Sequence, residues 1–159
     1  MPVSPAEFRN ALSRFASGVS VVTSRHEDGR FQGITVSAFS SVSLDPPLVL
    51  ICVEKTTASH GAIHYSKAFV VNVLSSGQID VSERFASPIA DRFDQVDHTL
   101  GIGDIPVLAG CLANLECRLI VSYETGDHTV FIGEVERTAV YEGGPLLYFR
   151  SGYRLMAGG

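Results

Sequence analysis

Hydrophobic and polar positions along the chain first follow the period of a helix and then, from about residue 18, the shorter period of strands. The segment Ser4-Pro5-Ala6-Glu7 carries an N-cap serine, a proline at the first helical position and the glutamate of a capping box. Apolar side chains then recur at helical spacing, at Phe8, Ala11, Leu12 and Phe15. This pattern predicts an N-terminal helix that ends near Ser17-Gly18.

Strand-like segments occupy much of the chain after this helix. GVSVVTS and QGITVSAFSSVSL are rich in β-branched and hydroxyl residues, and the Asp28-Gly29 pair between them suits a hairpin turn. A further turn is predicted at Asp45-Pro46-Pro47. The segment LVLICVE that follows it is apolar at consecutive positions, which is typical of a central strand covered on both faces. FVVNVLS is predicted as another strand.

The last third of the chain again has the pattern of strands. LANLECRLIVSYE and HTVFIGEVERTAVYE predict two long strands joined by a turn at 125–127, and LLYFR predicts a shorter one after the glycines at 143–144. Within the second long strand, Val130 and Ile132 share a face but Val135 is out of phase with them. We therefore expect a β-bulge near Gly133.

Two further helices are short. Residues 56–67 have helical character, and the S-x-x-Q spacing of Ser75 and Gln78 predicts a helix that runs to about Phe85. Residues 86–106 are mostly polar and are predicted as a loop with one helical turn. Six to eight strands that follow one another, with two or three short helices, favour an antiparallel barrel over a doubly wound fold. The sequence thus predicts one mainly β domain over residues 1–159.

Charge and composition narrow the classes of function. The net charge is -5, and the 12 lysines and arginines are scattered, so a nucleic-acid partner is not expected. Cys52, Cys111 and Cys117 form neither a disulfide framework nor a zinc motif, and are expected to be free buried thiols. The N-terminus does not resemble a signal peptide, and the longest apolar run is too short to cross a membrane. A cytoplasmic protein is expected.

Two sequence motifs are considered and set aside. The segment from Gly101 to Pro106 resembles half of a dinucleotide fingerprint, but it lacks the third glycine, and Pro106 disfavours the required helix. His60 and His64 stand at i and i+4, a spacing that can bind a metal. The glutamate of a zinc protease is missing between them, so polar residues on a helix surface explain the pair better, and no metal is predicted.

Three segments carry a pattern that suggests a binding site. Five of the nine residues from Thr35 to Ser43 bear hydroxyls, which suits either a wet edge strand or a strand that binds a polar planar ligand. The segment 52–59 ends a buried strand with a lysine and begins a helix with hydroxyl residues, which is typical of helix capping or of a phosphate site. His128 follows a tight turn and is well placed at the mouth of a cleft.

The sequence resembles the flavin reductase-like domain, the short-chain NAD(P)H:flavin oxidoreductases that fold as an FMN-binding split barrel of Greek-key antiparallel strands. The resemblance rests on an ordered set of stretches that covers nearly the whole chain. These stretches are FASGVSVVTS, GITVSAFSSVSLDPPLVLICV, FVVNVLSSGQ, DRF at 91–93, the region from Gly103 to Cys117, GDHTVFIGEV and PLLYFRSGYR.

The resemblance implies a set of flavin contacts. It implies that the isoalloxazine of FMN, or of FAD, is lined by Thr35, Val36, Ser37, Ala38, Phe39 and Ser41, and that Cys52 and Val53 continue this wall. It implies that the ribityl chain and phosphate are held by Lys55, Thr56 and Ser59. Phe85 is then expected to pack near the flavin, and Arg92 to add a second positive charge for the phosphate.

The resemblance also implies a site for NADH or NADPH as the hydride donor. His128 matches the histidine of a GDH motif, and we hypothesise that it orients the nicotinamide or helps proton movement. Tyr148, Arg150 and Tyr153 match a stretch that lies close to the nicotinamide nucleotide in relatives. Hydride passes from nicotinamide C4 to flavin N5, so the cofactors carry the reaction and the protein supplies position and electrostatics.

Relatives are homodimers, and many supply reduced flavin to a separate monooxygenase, so the same is expected of this chain. Two other functions remain open at this point. One is a redox protein that retains FMN and passes electrons to a specific acceptor. The other is a flavin-binding module without catalytic activity, which would oxidise no NAD(P)H.

Overall fold

The computed structural model of the protein describes residues 1–157. Its three α-helices are α1 (Pro5–Leu12), α2 (Ala58–Ser66) and α3 (Ile79–Ala86). The strands of this part of the chain are β1 (Ser17–Gly18), β2 (Ser20–Arg25), β3 (Phe31–Val36), β4 (Phe39–Ser43), β5 (Leu48–Glu54), β6 (Ala68–Val73), β7 (His98–Leu100), β8 (Pro106–Leu108), β9 (Ala113–Thr125), β10 (His128–Val140), β11 (Leu146–Phe149) and β12 (Gly152–Leu155). Their pairings are antiparallel, which confirms the predicted mainly β class.

Seven of these strands form one curved sheet in the order β3-β2-β6-β9-β10-β5-β4. The segment QGITVSAFSSVSL, predicted as one strand, is divided between β3 and β4 by a break at Ser37 and Ala38. The two halves lie at opposite edges of the sheet. The sheet therefore curls into a barrel that is split at the break.

The inner face of the curled sheet holds the main hydrophobic core. Alternate residues of β5, namely Val49, Ile51 and Val53, point inward, and the rings of Phe69 and Phe131 are fully buried among them. Ile63 of α2 packs into the same cluster. Because burial of large apolar side chains dominates folding energetics, this inner cluster holds the barrel together.

A second hydrophobic layer covers the outer face of β2 and β3. It contains Val21, Leu74, Phe85 and Leu146, which bring α3 and the small sheet β1-β11-β12 against the barrel. The layer leaves little room beside β3, because a Cβ on Gly33 would lie 2.6 Å from the Phe85 ring. Helix α3 and the C-terminal hairpin are thereby fixed against β3, the strand that leads to the break.

A buried polar network ties the hairpin β7–β8 to the barrel. The side-chain amide of Asn72 donates to the Val21 carbonyl at 2.9 Å, and its oxygen accepts from the Leu108 N–H and the Asn114 amide, both at 2.9 Å. Thr23 donates to the Pro106 carbonyl at 2.6 Å. These bonds satisfy polar groups that burial would otherwise leave unpaired.

Three predicted boundaries differ from the structure. Helix α1 ends at Leu12 rather than near residue 17, because Ser17 and Gly18 pair with β11 as β1. Helix α3 begins only at Ile79, because the Gln78 side chain reaches back to the Ser75 N–H and across to the Ala109 carbonyl. Residues 86–106, predicted as a loop with one helical turn, contain a 3-10 turn at Ile102–Asp104 as expected, but also the strand β7.

The predicted bulge is found, but its geometry differs from the expectation. The register between β9 and β10 shifts between Ile132 and Gly133, and the extra residue is Ile120 of β9. Val135 packs against the inner cluster that contains Phe131. Val135 is therefore in phase with the inward residues of β10, and its position in the sequence needs no slip.

Among residues 1–157, no helix is both long enough and apolar enough to cross a membrane.

Gly133 is required by close packing, and we predict that Gly133→Ala destabilises the protein. A Cβ at this position would lie 2.6 Å from the Phe69 ring and 3.0 Å from the Cys117 Cβ. Overpacking of this kind costs about 1–3 kcal/mol of unfolding free energy, measurable by urea denaturation. Gly61→Ala is the control, because a Cβ on Gly61 meets nothing within 4 Å on helix α2. Equal stability of the two variants would contradict the packing argument.

Candidate functional site

The break between β3 and β4 exposes backbone groups at the edge of the barrel. Ser37 and Ala38 are exposed. Their carbonyls accept from the N–H groups of Phe39 and Cys52, whereas within residues 1–157 neither Ser37 nor Ala38 donates its own N–H to a backbone carbonyl. Unpaired donors of this kind seek a partner in water or in a ligand. The break is therefore a place where a polar ring edge can bind.

A cavity of about 210 Å³ lies between this break and the C-terminal hairpin. Its walls include Thr35, Val36 and Ser37 on one side and Tyr148 and Tyr153 on the other. The two tyrosine rings pack edge to face, with centroids 5.6 Å apart. The structure thus joins the strand predicted to bind flavin to two residues predicted to lie near the nicotinamide.

A second cavity, of about 310 Å³, continues on the other side of the break. It contains Ser37, Ala38 and Phe39 together with the apolar side chains of Leu12 and Phe15. Ser37 belongs to both cavities. The two cavities therefore adjoin at Ser37, on either side of one short segment of backbone, and together they are called the depression. Ser41 lies exposed on β4, further along the same strand.

Lys55 connects the end of β5 to the turn between β9 and β10. Its N–H donates to the Asp127 carbonyl at 3.0 Å, and its ammonium lies 4.0 Å from the Glu124 carboxylate. Thr57 is the N-cap of α2 and accepts from the His60 N–H, while Thr56 donates to Glu54 at 2.8 Å. A lysine and the positive end of a helix are thus close together, as a phosphate site requires.

His128 stands at the start of β10, opposite Glu54 of β5. Its Nδ1 lies 2.7 Å from Asp127 Oδ1. This hydrogen bond holds the pKa of Asp127 below its usual value, so the carboxylate stays charged at neutral pH. In the neutral ring, donation from Nδ1 to this carboxylate leaves Nε2 as an acceptor. The structure therefore brings His128 and Lys55 to the same corner of the barrel.

Four of the predicted contact residues point away from the exposed site. Val36 and Val53 pack in the inner core, because alternate residues of a strand face opposite sides. Phe85 is fully buried beneath Gly33 and supports β3 from behind, so its ring is not exposed at the site. Ser59 is also buried, at 2% exposure, in the first turn of α2. Backbone atoms remain the groups through which Val36 and Val53 can contribute.

Arg92 lies against β3, where its guanidinium donates to the Gly33 carbonyl at 2.8 Å. It lines a separate cavity of about 310 Å³ with Arg30, Phe31 and neighbouring residues, a cavity that does not include Lys55. The structure therefore does not bring the two predicted positive charges of the phosphate site into one cavity.

Arg150 and Ser151 form the two-residue turn between β11 and β12. Their φ angles are +50° and +59°, a region that favours glycine and asparagine. The Arg150 guanidinium lies 5.2 Å from the centroid of the Phe149 ring. The backbone N–H of Arg150 donates to the Ser13 carbonyl at 2.8 Å. The turn is held in this conformation by contacts with the segment that follows α1.

The three cysteines and the pair His60 and His64 are held by packing contacts with neighbouring side chains. Burial raises the pKa of all three thiols, and that of Cys117 to about 12, so they are protonated at neutral pH. His60 Nε2 lies 2.8 Å from Thr129 Oγ1, and the His60 and His64 rings pack at 4.7 Å. Burial, and then the nearby His64, lower the pKa of His60. Residues 1–157 hold no group of three metal-ligating side chains.

Two residues of this region, Asp127 and Ser82, were not predicted from the sequence as site residues. Asp127 orients His128 through a hydrogen bond to Nδ1. The position of Asp127 directly before this histidine could have indicated that role. Ser82 lies in the 210 Å³ cavity and bonds both to Thr35 and to Tyr153. Nothing in the spacing of α3 distinguishes Ser82, because its partners are 47 and 71 residues away.

Comparison with known proteins agrees with this geometry. The model of the flavin reductase like domain matches residues 12–157. The reductase component of 4-nitrophenol 4-monooxygenase/4-nitrocatechol 2-monooxygenase from Rhodococcus opacus is 41% identical over 94% of this chain and 80% of its own length. The FMN reductase (NADH) SmoA from Agrobacterium fabrum is 43% identical over 89% of this chain and 80% of its own length.

Solved structures show the same fold. The NADH:FAD oxidoreductase SgcE6 of Streptomyces globisporus, in complex with NAD and FAD fragments, superposes with a TM-score of 0.92 at 37% identity, covering 99% of this chain and 98% of that one. The flavin reductase PheA2 superposes with a TM-score of 0.88 at 36% identity, covering 98% and 99%. The split barrel is thus the fold of these flavin reductases. The chain belongs to the flavin reductase-like domain family.

Proposed function

We propose that the chain is an NAD(P)H:flavin oxidoreductase that reduces FMN, or FAD, and supplies the reduced flavin to a separate monooxygenase. The observation that carries this proposal is the depression around the break between β3 and β4. Its two cavities share Ser37, so two planar rings bound in them meet at one segment of backbone. Such an arrangement suits a direct transfer between two ring systems.

The break fits the polar edge of a flavin. The exposed N–H groups of Ser37 and Ala38 are free to donate to carbonyl or ring-nitrogen acceptors. Leu12, Phe15 and Phe39 supply apolar surface beside them for the remainder of the ring. Donors at one edge and apolar walls at the other are the usual composition of a cofactor site.

The phosphate of the flavin is best matched by the corner around Lys55. The Lys55 side chain is about one-third exposed, Thr56 is at the surface, and helix α2 begins two residues further along the chain at Ala58. Charge-assisted hydrogen bonds from such groups are stronger than neutral ones. Arg92 and Ser59 contribute to this site only after a rearrangement of the conformation described.

The nicotinamide end of the donor is matched by Tyr148 and Tyr153, and by His128 with Nε2 free to accept. Bound flavin supplies the electron-accepting chemistry of the reaction. The residues of the chain orient the two rings, exclude water from the depression and, through His128, offer an acceptor for a hydrogen bond. Arg150 lies at the turn beside the tyrosines, where its charge suits a nucleotide phosphate.

We further propose that the working unit is a homodimer. Strands β5 and β10 carry apolar residues on their outer faces as well as their inner ones: Leu50, Cys52, Val130 and Ile132 are only partly buried. No residue of α1 is buried, and Phe15 beside it is 77% exposed. An apolar outer sheet face of this kind marks an interface. A second copy that covers it would lie next to Lys55 and His128.

Transfer of reduced flavin to a monooxygenase is supported by the relatives. The protein from Rhodococcus opacus and a flavin-dependent monooxygenase subunit from Rhodococcus jostii are both reductase components, the latter 38% identical to this chain. The two cavities are also open to the surface rather than enclosed, which suits release of the product.

The purified protein should oxidise NADH or NADPH at a rate that depends on added FMN or FAD. Absorbance of the reduced nicotinamide measures this rate. Tight, stoichiometric flavin with little response to added flavin would instead support a redox protein with fixed FMN. Binding of flavin without oxidation of NAD(P)H would reduce the chain to a binding module.

The same assay tests the phosphate site. Lys55→Met should raise KM for FMN about tenfold, because one charge-assisted contact is worth about 1.5 kcal/mol or more. KM for riboflavin, which has no phosphate, should stay unchanged. Lys67→Met, at the other end of α2, is the matched control and should alter neither value. Equal losses with FMN and riboflavin would remove Lys55 from the phosphate site.

Asp127 and His128 should act together on the nicotinamide donor. Asp127→Ala frees the His128 ring, so KM for NADH is expected to rise about threefold to tenfold, and His128→Ala should give a similar change. Because the pKa of Asp127 is lowered, its carboxylate stays charged throughout pH 6–8. Asp28→Ala, which disrupts a similar contact in the β2–β3 turn, is the control. Unchanged kinetics in both site variants would exclude the role of His128.

Ile132→Lys should weaken the proposed dimer, because it places a charge on the outer face of β10 in the middle of the interface. Sedimentation at micromolar concentration should show a dimer for the wild type and a larger monomer fraction for the variant. Leu100→Lys, at an exposed position on β7, should remain dimeric. A monomeric wild-type protein with full activity would overturn the proposal.

A further inference from the structure

Ser82 joins two walls of the 210 Å³ cavity that come from distant parts of the chain. Its carbonyl accepts from the Thr35 hydroxyl at 2.6 Å, and its own hydroxyl lies 2.8 Å from the Tyr153 hydroxyl. Ser82 itself is fully buried. One residue of α3 is thus bonded both to the strand that leads to the break and to the C-terminal hairpin.

Besides its strand, Tyr153 is positioned by this bond and by packing against the outer hydrophobic layer that contains Phe85. Strand β12 lies at the edge of a three-stranded sheet and pairs only with β11 within residues 1–157, over four residues. The Tyr153 ring packs edge to face on Tyr148, an arrangement that permits sliding of one ring over the other. The Ser82 hydroxyl supplies the directional contact that fixes the distance of this ring from β3.

Ser82 is in turn held in place by the packing of its own helix. Phe85, one turn further along α3, is fully buried, and Val81 packs against the same outer layer. Gly33 leaves just enough space for the Phe85 ring beneath β3. Helix α3 is therefore a fixed support from which Ser82 reaches both walls.

We infer that Ser82 is a positioning residue that sets the width of the cavity between Thr35 and Tyr153, and that this cavity receives the nicotinamide ring of the hydride donor. The inference rests on the proposed reductase function. Thr35 uses its single hydroxyl proton on the Ser82 carbonyl, and Ser82 and Tyr153 share a second bond. The walls are thereby held at a fixed separation before the ring enters, which lowers the entropic cost of binding.

Steady-state kinetics of Ser82→Ala and Tyr153→Phe test this inference. Each variant should raise KM for NADH at least fivefold, with kcat within twofold of the wild type and KM for FMN nearly unchanged. The double variant should be no worse than either single variant, because both remove the same bond. Thermal unfolding of each variant checks that the fold is kept.

Ser87→Ala is the matched control. Ser87 lies at the end of the same helix, and its hydroxyl donates to the Glu83 carbonyl at 2.6 Å, away from the cavity. This variant should have wild-type kinetics.

Three results would overturn the inference. They are wild-type KM values in Ser82→Ala, additive effects in the double variant, and a rise confined to KM for FMN, which would assign the cavity to the isoalloxazine. Each of these presupposes an active wild-type enzyme. Absence of flavin-dependent NAD(P)H oxidation in the wild type would instead refute the proposed function itself.

Discussion

The break in the hydrogen-bonded ladder between β3 and β4 is the constraint on which the site depends. A curled antiparallel sheet lowers its energy by closing on itself, since closure satisfies the backbone groups of both edge strands. Here the chain passes from one edge to the other through Ser37 and Ala38, and the edges stay apart. The donors left open at this point are the ones that the depression offers to a ligand. The site thus exists because β3 and β4 do not pair with each other and the barrel stays open between them.

The surrounding structure keeps the break in place. Inside the barrel, Ile63 of α2 and the rings of Phe69 and Phe131 fill the interior, so the sheet cannot curl further and bring its two edges together. Outside it, Phe85 presses on Gly33 and prevents β3 from moving outward. Close packing on both faces leaves β3 a single position. The exposed strand that carries Thr35 is therefore rigid, although one of its edges has no partner.

The sequence predicted those features that depend on local pattern. The consecutive apolar residues of β5, the turn at residues 45–47 and the capping box of α1 each depend on residues that are close together in the sequence. The hydroxyl-rich segment 35–43 pointed to a ligand site, but the division into two strands was not visible, because both halves have the same strand-like composition. The direction of each side chain then decides which residues are accessible, as Val36 and Val53 show.

Contacts between distant segments could not be predicted in the same way. Ser82 bonds to Thr35 and Tyr153, and Arg92 bonds to the Gly33 carbonyl, through pairings that only the folded chain defines. The apolar outer faces of β5 and β10 illustrate the opposite case. The consecutive apolar residues of LVLICVE predicted a strand covered on both faces. In residues 1–157 the inner face is buried, whereas Leu50 and Cys52 on the outer face are only partly buried.

The turn between β11 and β12 has a consequence for the engineering of this protein. Arg150 and Ser151 both adopt a left-handed conformation that costs an ordinary residue about 1–2 kcal/mol. Selection for thermal tolerance alone would replace them with asparagine and glycine. The same hairpin carries Tyr148 and Tyr153, so a screen for heat-resistant variants would find its easiest gains beside the depression. Any thermostabilised variant with substitutions in this turn should therefore be assayed for catalysis before the substitutions are kept.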